Sequence, residues 1–526
     1  MRSRSPVILI LLAAAMAAQQ PPGPAPPPVQ QAPVQPRSHA PQSPEQARGA
    51  QRPPAQPESA SARELAEETA VTHHKLRTGG QLIDYTATAG TIVLRKEDGA
   101  PRASIFYVAY TKDGVEDPSK RPLAFAFNGG PGSSSVWLQM GALGPRRVVM
   151  QESGHALPPP YQIVDNEYSI LDETDLVFID PVSTGYSRAA NEREAREFHG
   201  YREDIASVGD FIRLYTTRAQ RWLSPKYIAG ESYGTTRAAG LAAYLQDEAG
   251  MYLNGIALIS AVLDFQTIMF TGGNDLPYIL FLPTYTATAW YHKKLPPDLQ
   301  ADFAKALAES KRFASNEYAL ALLKGDALAA GERAAVAKEL ARLTGLTPEY
   351  VLKSNLRIES GHFRAQLLPG LTVGRYDSRI TGADMEAVSA TPEYDPSYAV
   401  VQGAFTAAFN AYVRRELNFT TDLPYEILTG RVRPWNWEPY ENRFVYVAGD
   451  LRQAMIRNPF LRVFVAKGYY DLATPIYAIE YTVDHMPLVP ALRNNITGAY
   501  YGAGHMMYTD RASLAKLKSD LAAFIQ

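Results

Sequence analysis

Short apolar runs that stop at glycine- or proline-rich turns, with helical patterns between them, constrain this chain more than any other feature. Residues 122–127 run into Asn128-Gly129-Gly130, Asp175–Ile179 into Asp180-Pro181, and residues 227–229 into Gly230. Residues 256–259 and 461–466 repeat the pattern. Runs this short fit strands buried on both faces of a mostly parallel sheet. Helical patterns over Tyr201–Arg218 and residues 236–246 lie between them, and this alternation predicts an α/β architecture. The rhythm breaks from residue 265 to 430. Residues 298–345 are rich in Ala, Leu, Lys and Glu at helical spacing, and a polar stretch with Tyr and Pro follows. This segment reads as a largely helical insertion, which leaves 61–264 and 431–526 as the core. A final helix is predicted behind Asp510, with Leu514, Leu517, Leu521 and Phe524 on one face.

The N-terminus is of another kind. Arg2 and Arg4 precede an apolar run over residues 7–18, and Ala15-Met16-Ala17 fits a small-x-small cleavage rule. Residues 1–18 therefore read as a signal peptide cleaved near Ala17/Ala18, giving a secreted or periplasmic protein. The run is shorter than the roughly 20 residues of a spanning helix, so no stable membrane span is expected after cleavage; an uncleaved anchor is the alternative. Residues 19–60 hold 13 of the chain's 39 prolines and few large apolar residues, the composition of a disordered or polyproline-like tether.

Among 526 residues there is no cysteine, which excludes disulfides, thiolate metal sites and cysteine nucleophiles. A net charge of -2 gives no electrostatic basis for binding nucleic acid. His73 and His74 have no acidic or cysteine partners at ligand spacing, so neither a metal nor a cofactor is inferred. Trp435 and Trp437 are read as packing residues, and Asn418-Phe419-Thr420 and Asn495-Ile496-Thr497 match glycosylation sequons.

Gly230-Glu231-Ser232-Tyr233-Gly234 sits between an apolar run and a helical, small-residue stretch. This is the G-x-S-x-G elbow in its strand–turn–helix context, and a plain surface turn is the competing reading. A tight turn would lift Ser232 Oγ clear of the sheet and aim the Tyr233 N–H at a developing oxyanion. A serine hydroxyl needs a general base oriented by a carboxylate, and elbow proteins supply these in the order Ser, Asp or Glu, His. Only His292, His362, His485 and His505 follow Ser232. His505 lies on the glycine-rich loop Gly502-Ala503-Gly504-His505-Met506, after an expected strand at 498–501. His292 and His362 fall in the insertion, and His485 reads as a capping or surface residue. Asp471 follows the 461–466 run and precedes His505 by 34 residues, room for one helix and one strand. The second half of an oxyanion hole is sought in the loop Asn128-Gly129-Gly130-Pro131-Gly132-Ser133-Ser134-Ser135. A phosphate-binding loop or simple turn is the alternative there, although no G-x-x-x-x-G-K-[ST] is present.

Together these blocks resemble the serine carboxypeptidase family. The resemblance rests on Asn128-Gly129-Gly130-Pro131-Gly132-Ser133-Ser134, Asp180-Pro181-Val182-Ser183-Thr184-Gly185-Tyr186-Ser187, Gly230-Glu231-Ser232-Tyr233-Gly234, Asp471 with Pro475, and Gly502-Ala503-Gly504-His505-Met506. It implies an α/β-hydrolase core with the helical insertion as a lid, and a substrate that is a peptide or protein with a free C-terminus. It carries over Ser232 as nucleophile, Asp471 as orienting acid, His505 as base, and the N–H groups of Gly130 and Tyr233 as oxyanion hole. It assigns the substrate's terminal carboxylate to Asn128 and Glu231, which must share a proton with it. The chain departs from the pattern in Gly141-Ala142-Leu143-Gly144-Pro145, where Ala142 replaces a second glutamate. Ala126 stands where a tryptophan is usual, and Thr235-Thr236-Arg237 follows the elbow in place of Gly and an aromatic. The expected activity is removal of C-terminal residues. An esterase or acyltransferase on the same triad, or a non-catalytic binding protein, are the competing readings.

Overall fold

The structure, a computed structural model, describes residues 65–526 apart from Ala387. The signal peptide expected over residues 1–18 and the tether expected over 19–60 lie outside the described residues. Among the described residues ten strands share one sheet: β1 (Thr69–Thr78), β2 (Gln81–Arg95), β3 (Pro101–Lys112), β4 (Leu123–Phe127), β5 (Asp175–Ile179), β6 (Arg188–Ala189), β7 (Lys226–Glu231), β8 (Gly255–Ile259), β9 (Arg462–Gly468) and β10 (Ile496–Tyr501). Their order is β1-β2-β3-β5-β4-β7-β8-β9-β10, with β6 paired to β3. Pairing is antiparallel from β1 to β5 along this path, and parallel from β5 to β10.

The parallel half follows from its side chains. Every residue of β4, β5, β7 and β8 is buried, and the period of two sorts them between two cores. Ala124, Phe178, Ala229 and Phe464 face the helices Pro396–Arg415 and Arg511–Ile525. Phe125, Val177, Ile228 and Val463 face the helices Tyr201–Arg218, Tyr233–Ala249 and Ala448–Arg457. Each large apolar side chain so buried contributes about 1.5–3 kcal/mol. In the meander β1–β3 the first half of β2 alternates, burying Ile83, Tyr85, Ala87 and Ala89 while the residues between are less buried, whereas β3 buries a continuous run from Ala103 to Tyr110.

Between β8 and β9 the chain leaves the sheet. Helices from Leu276–Tyr291 to Ser360–Gln366 surround an apolar cluster of their own, including Phe281, Tyr285, Leu340 and Phe363. The helix Pro396–Arg415 instead lies on the sheet, with Phe405 and Phe409 in the core of one face. The terminal helix starts where its cap was expected, Asp510 accepting from Ser513 N at 2.9 Å. Among the described residues no helix is long and apolar enough to cross a membrane. The loops after β4, β7, β8, β9 and β10 all leave from the carboxyl edge of the parallel strands, the edge at which open α/β sheets bind ligands.

Candidate active site

Strand β7 ends at Glu231 and the next helix begins at Tyr233, leaving Ser232 alone in the turn at φ 60° and ψ -130°. A non-glycine residue so placed costs about 1–3 kcal/mol and persists only where its surroundings fix it. Here Ser232 N donates to Ile259 O at 3.0 Å, and Thr235 N and Oγ1 donate to Ser232 O at 2.8 and 2.6 Å. A Cβ on Gly230 would sit 2.3 Å from Gly234 O, so strand and helix approach this closely only with glycine there. Ser232 is half-buried and lines a cavity with Asn128, Gly130, Glu231, Tyr233 and His505.

His505 enters that cavity from the loop after β10. Its Nδ1 meets Asp471 Oδ2 at 2.8 Å, and both side chains are almost fully buried. Asp471 also accepts from Ala473 N (2.8 Å), Thr474 N (2.9 Å) and Thr474 Oγ1 (2.7 Å), so its orientation is fixed by three further donors. An acid on Nδ1 selects the tautomer that leaves Nε2 able to accept a proton. Burial works to lower the imidazole pKa, but the charge and hydrogen bond of Asp471, with Glu231 nearby, raise it above the ordinary value. The backbone is pinned as well. Ser260 Oγ donates to His505 O at 2.6 Å, His505 N donates to Tyr376 O, and the Tyr376 ring stacks on the imidazole with centroids 5.1 Å apart.

The loop after β4 closes the opposite side. A Cβ on Gly129 would lie 2.4 Å from Tyr233 N and 2.8 Å from Glu231 O, so a bare backbone is what allows this loop to press against the elbow. Gly130, beside it, lines the same cavity as Tyr233. Asn128 Oδ1 accepts from Leu138 N at 3.1 Å. Its Nδ2 lies beside the oxygens of Glu231 and Tyr508 but is a buried donor without a hydrogen bond. Glu231 is buried, and that burial pushes its carboxyl up to about 7 against the opposing effects of His505 and of a 2.7 Å hydrogen bond from Tyr508 OH.

Behind the elbow lies an ion pair that explains one of the departures noted in the sequence. Arg237 is 1% exposed; its Nε donates to Asp204 Oδ2 at 2.8 Å and its Nη1 to Asn128 O at 2.7 Å. Tyr233 OH donates to the same Asp204 oxygen at 3.2 Å. One buried pair therefore ties the elbow helix to the Asn128 loop. Trp435 and Trp437 pack edge-on against Tyr233 at 5.6 and 6.0 Å, the packing role expected of them. His485 follows the helix Ile476–Asp484 as its cap and stacks on Tyr481, while His292 Nε2 meets Ser378 O at 2.7 Å away from the cavity.

The structure thus brings Ser232, Asp471, His505, Gly130, Tyr233, Asn128 and Glu231 together at one place. Sequence reasoning missed Tyr508, Tyr376, Thr474 and Asp204. Tyr508 and Thr474 lie three residues beyond His505 and Asp471, so proximity could have nominated them. Nothing local marks the other two.

The mixed, mostly parallel sheet with its serine turn at the carboxyl edge is an α/β-hydrolase fold. It matches the prohormone-processing carboxypeptidase of Saccharomyces cerevisiae with a TM-score of 0.53, over 84% of this chain and 91% of that chain, at 16% sequence identity. The family model described as serine carboxypeptidase matches residues 89–500, and the chain belongs to that family. Among curated relatives, serine carboxypeptidase-like 45 of Arabidopsis thaliana is 29% identical over 184 residues, 32% of this chain and 36% of the relative. The pheromone-processing carboxypeptidase KEX1 of S. cerevisiae is 33% identical over 156 residues, 28% of this chain and 20% of the relative. The matched segments thus span about a third or less of these relatives' length.

Proposed function

We propose that this protein is a serine carboxypeptidase that removes C-terminal residues from peptides through an acyl-enzyme on Ser232. The observation that carries this reading is the buried His505–Asp471 pair at 2.8 Å, beside a strained serine and a glutamate whose carboxyl burial pushes up to about 7, in one cavity. Family membership supports it. Ser232 Oγ attacks the last peptide carbonyl while His505 Nε2 takes the hydroxyl proton. The N–H groups of Gly130 and Tyr233 stabilise the oxyanion, and removal of one such donor costs about 10²–10³ in rate. The C–N bond breaks as His505 returns the proton to the leaving amine. Water then attacks the ester, giving one proton to His505, which passes it to Ser232 Oγ as the shortened peptide leaves.

Asn128 Nδ2 and protonated Glu231 donate to the substrate's terminal carboxylate. A buried donor lacking a partner and a carboxyl that keeps its proton to about pH 7 are what such a site requires. The residues before the fold support export: the basic, apolar and small-residue pattern of 1–18 directs the chain out of the cytoplasm. Amino-terminal sequencing of the exported protein tests that cleavage.

Ala142 favours a second reading, an esterase or acyltransferase with a weaker hold on a terminal carboxylate. Mass spectrometry of digests separates the two. Matched free-acid and C-terminally amidated peptides are incubated with the full chain and with Ser232→Ala. Stepwise loss of residues from the free acids alone, absent in the variant, is expected. Equal turnover of the amides, or ester cleavage alone, supports the second reading.

A further inference from the structure

Arg375 stands at the mouth of the cavity that holds Ser232 and His505, and it is the only Lys or Arg among the described residues lining it. The residue is exposed. Its backbone N–H is fixed by a 3.0 Å bond to Asp395 Oδ1, an oxygen already committed to Ser397 N and Oγ. The guanidinium itself has no hydrogen bond or ion pair to the described residues. Its contact is with a ring: Cζ lies 5.7 Å over Tyr376, which in turn stacks on His505. The charge is near enough to the imidazole to work against its protonation.

An aromatic wall runs from Arg375 to the inner end of the cavity. Tyr376 meets Tyr398 with centroids 6.1 Å apart, and Tyr398 meets Trp137 at 6.1 Å. Trp137 precedes Leu138, whose N–H is held by Asn128. On the function proposed above, Asn128 and Glu231 take the terminal carboxylate, so the residue being removed lies along this wall. Its side chain then points toward an unpaired cation held on a tyrosine face.

We propose that Arg375 is a specificity-determining residue that selects an acidic residue, Asp or Glu, at the substrate's C-terminus by binding its side-chain carboxylate. A guanidinium is suited to this because its planar fork matches a carboxylate while its stacking on Tyr376 keeps it oriented. Free-acid peptides identical except for a final Glu, Gln or Lys distinguish a side-chain carboxylate from the terminal one, since all three share the latter.

The test measures kcat and KM for these peptides with the wild type, Arg375→Gln and Arg375→Glu. In the wild type, Glu is expected to exceed Gln by about tenfold in kcat/KM, mostly through KM, as for one partly exposed charge-assisted hydrogen bond. Arg375→Gln should erase that ratio, and Arg375→Glu should turn the preference toward Lys. A Glu-to-Gln ratio that is the same in all three proteins overturns the proposal. So does an equal loss on all three peptides in Arg375→Gln, which would assign the residue to the terminal carboxylate. If the wild type removes no residue from any peptide, the proposed activity fails. The same Glu-to-Gln comparison, read as Kd by calorimetry on Ser232→Ala with and without Arg375→Gln, still decides the role of Arg375.

Discussion

Tyr508 donates its phenolic hydrogen to Glu231 Oε2 across 2.7 Å, with both residues buried. The Tyr508 ring presses on Gly141 so closely that a Cβ there would lie 2.5 Å away, and the next residue is Ala142, where the family resemblance expects a second acid. The Tyr508 ring thus packs against the segment that carries Ala142, while its hydroxyl reaches Glu231. A phenol partner differs in chemistry from a carboxyl partner. Two carboxyl groups must share a proton, whereas a phenol held protonated by burial and by Glu231 always donates.

Replacement of Tyr508 by Phe removes a donor that works to lower the Glu231 pKa. Glu231 then keeps its proton to higher pH. The alkaline loss of kcat/KM on free-acid peptides, expected near pH 7 in the wild type, should move upward in Tyr508→Phe. A pH–rate profile measures it. An unmoved alkaline midpoint contradicts the assignment of Glu231 to the substrate carboxylate.

Glu231 also leaves a signature in stability. Its pKa in the fold, about 7, exceeds the ordinary 4.5, so the folded protein binds this proton more tightly than the unfolded chain. The resulting penalty is absent at pH 4, grows as pH rises through that interval, and is complete above about pH 7. Glu231→Gln should therefore be more stable than the wild type at pH 8 by about 1–3 kcal/mol, and by little at pH 4. Denaturant unfolding at the two pH values reads the difference, and a variant stabilised equally at both would be inconsistent with it.

Asp471→Asn keeps the shape of the site but offers His505 the wrong hydrogen-bonding partner at Nδ1. A fall in kcat of about 10³–10⁴ with KM little changed is expected. Steady-state kinetics at pH 7 measures it, and a loss under tenfold would remove Asp471 from the triad.

The buried pair behind the elbow gives a separable prediction. Arg237→Met leaves the buried Asp204 without its cation, and should cost about 3–5 kcal/mol in unfolding free energy. The double variant Arg237→Met, Asp204→Leu should recover most of that stability. It should not recover kcat, because Asn128 O and Tyr233 OH have lost the groups that position them. Full recovery of both would make the pair purely structural.

The parts of the fold legible in the sequence are those where one residue's neighbours decide its environment. Strands β4, β5, β7 and β8 are buried on both faces, so they spell continuous apolar runs, and the turns that stop them hold Asn128 and Ser232. Strand β1 and residues 81–88 of β2 leave one face less buried, so their alternating residues blend with loop composition. Asp471 and His505 were found from chain order and loop glycines. Tyr376 and Arg375 were not, because they come from a segment about 130 residues away that reaches His505 only through tertiary packing. Asp204 and Arg237 face each other from adjacent helices, and a charged residue in a helical pattern reads as solvated until its partner is known.

On the proposed function, Ser232 is a nucleophile activated by His505 in a site that also holds a free carboxyl terminus. Labelling with a fluorophosphonate, located by peptide mass spectrometry, tests both halves of this statement. The expected result is one adduct on Ser232, lost in His505→Ala and slowed by a free-acid peptide but not by its C-terminal amide. Labelling elsewhere, or equal protection by acid and amide, would contradict it.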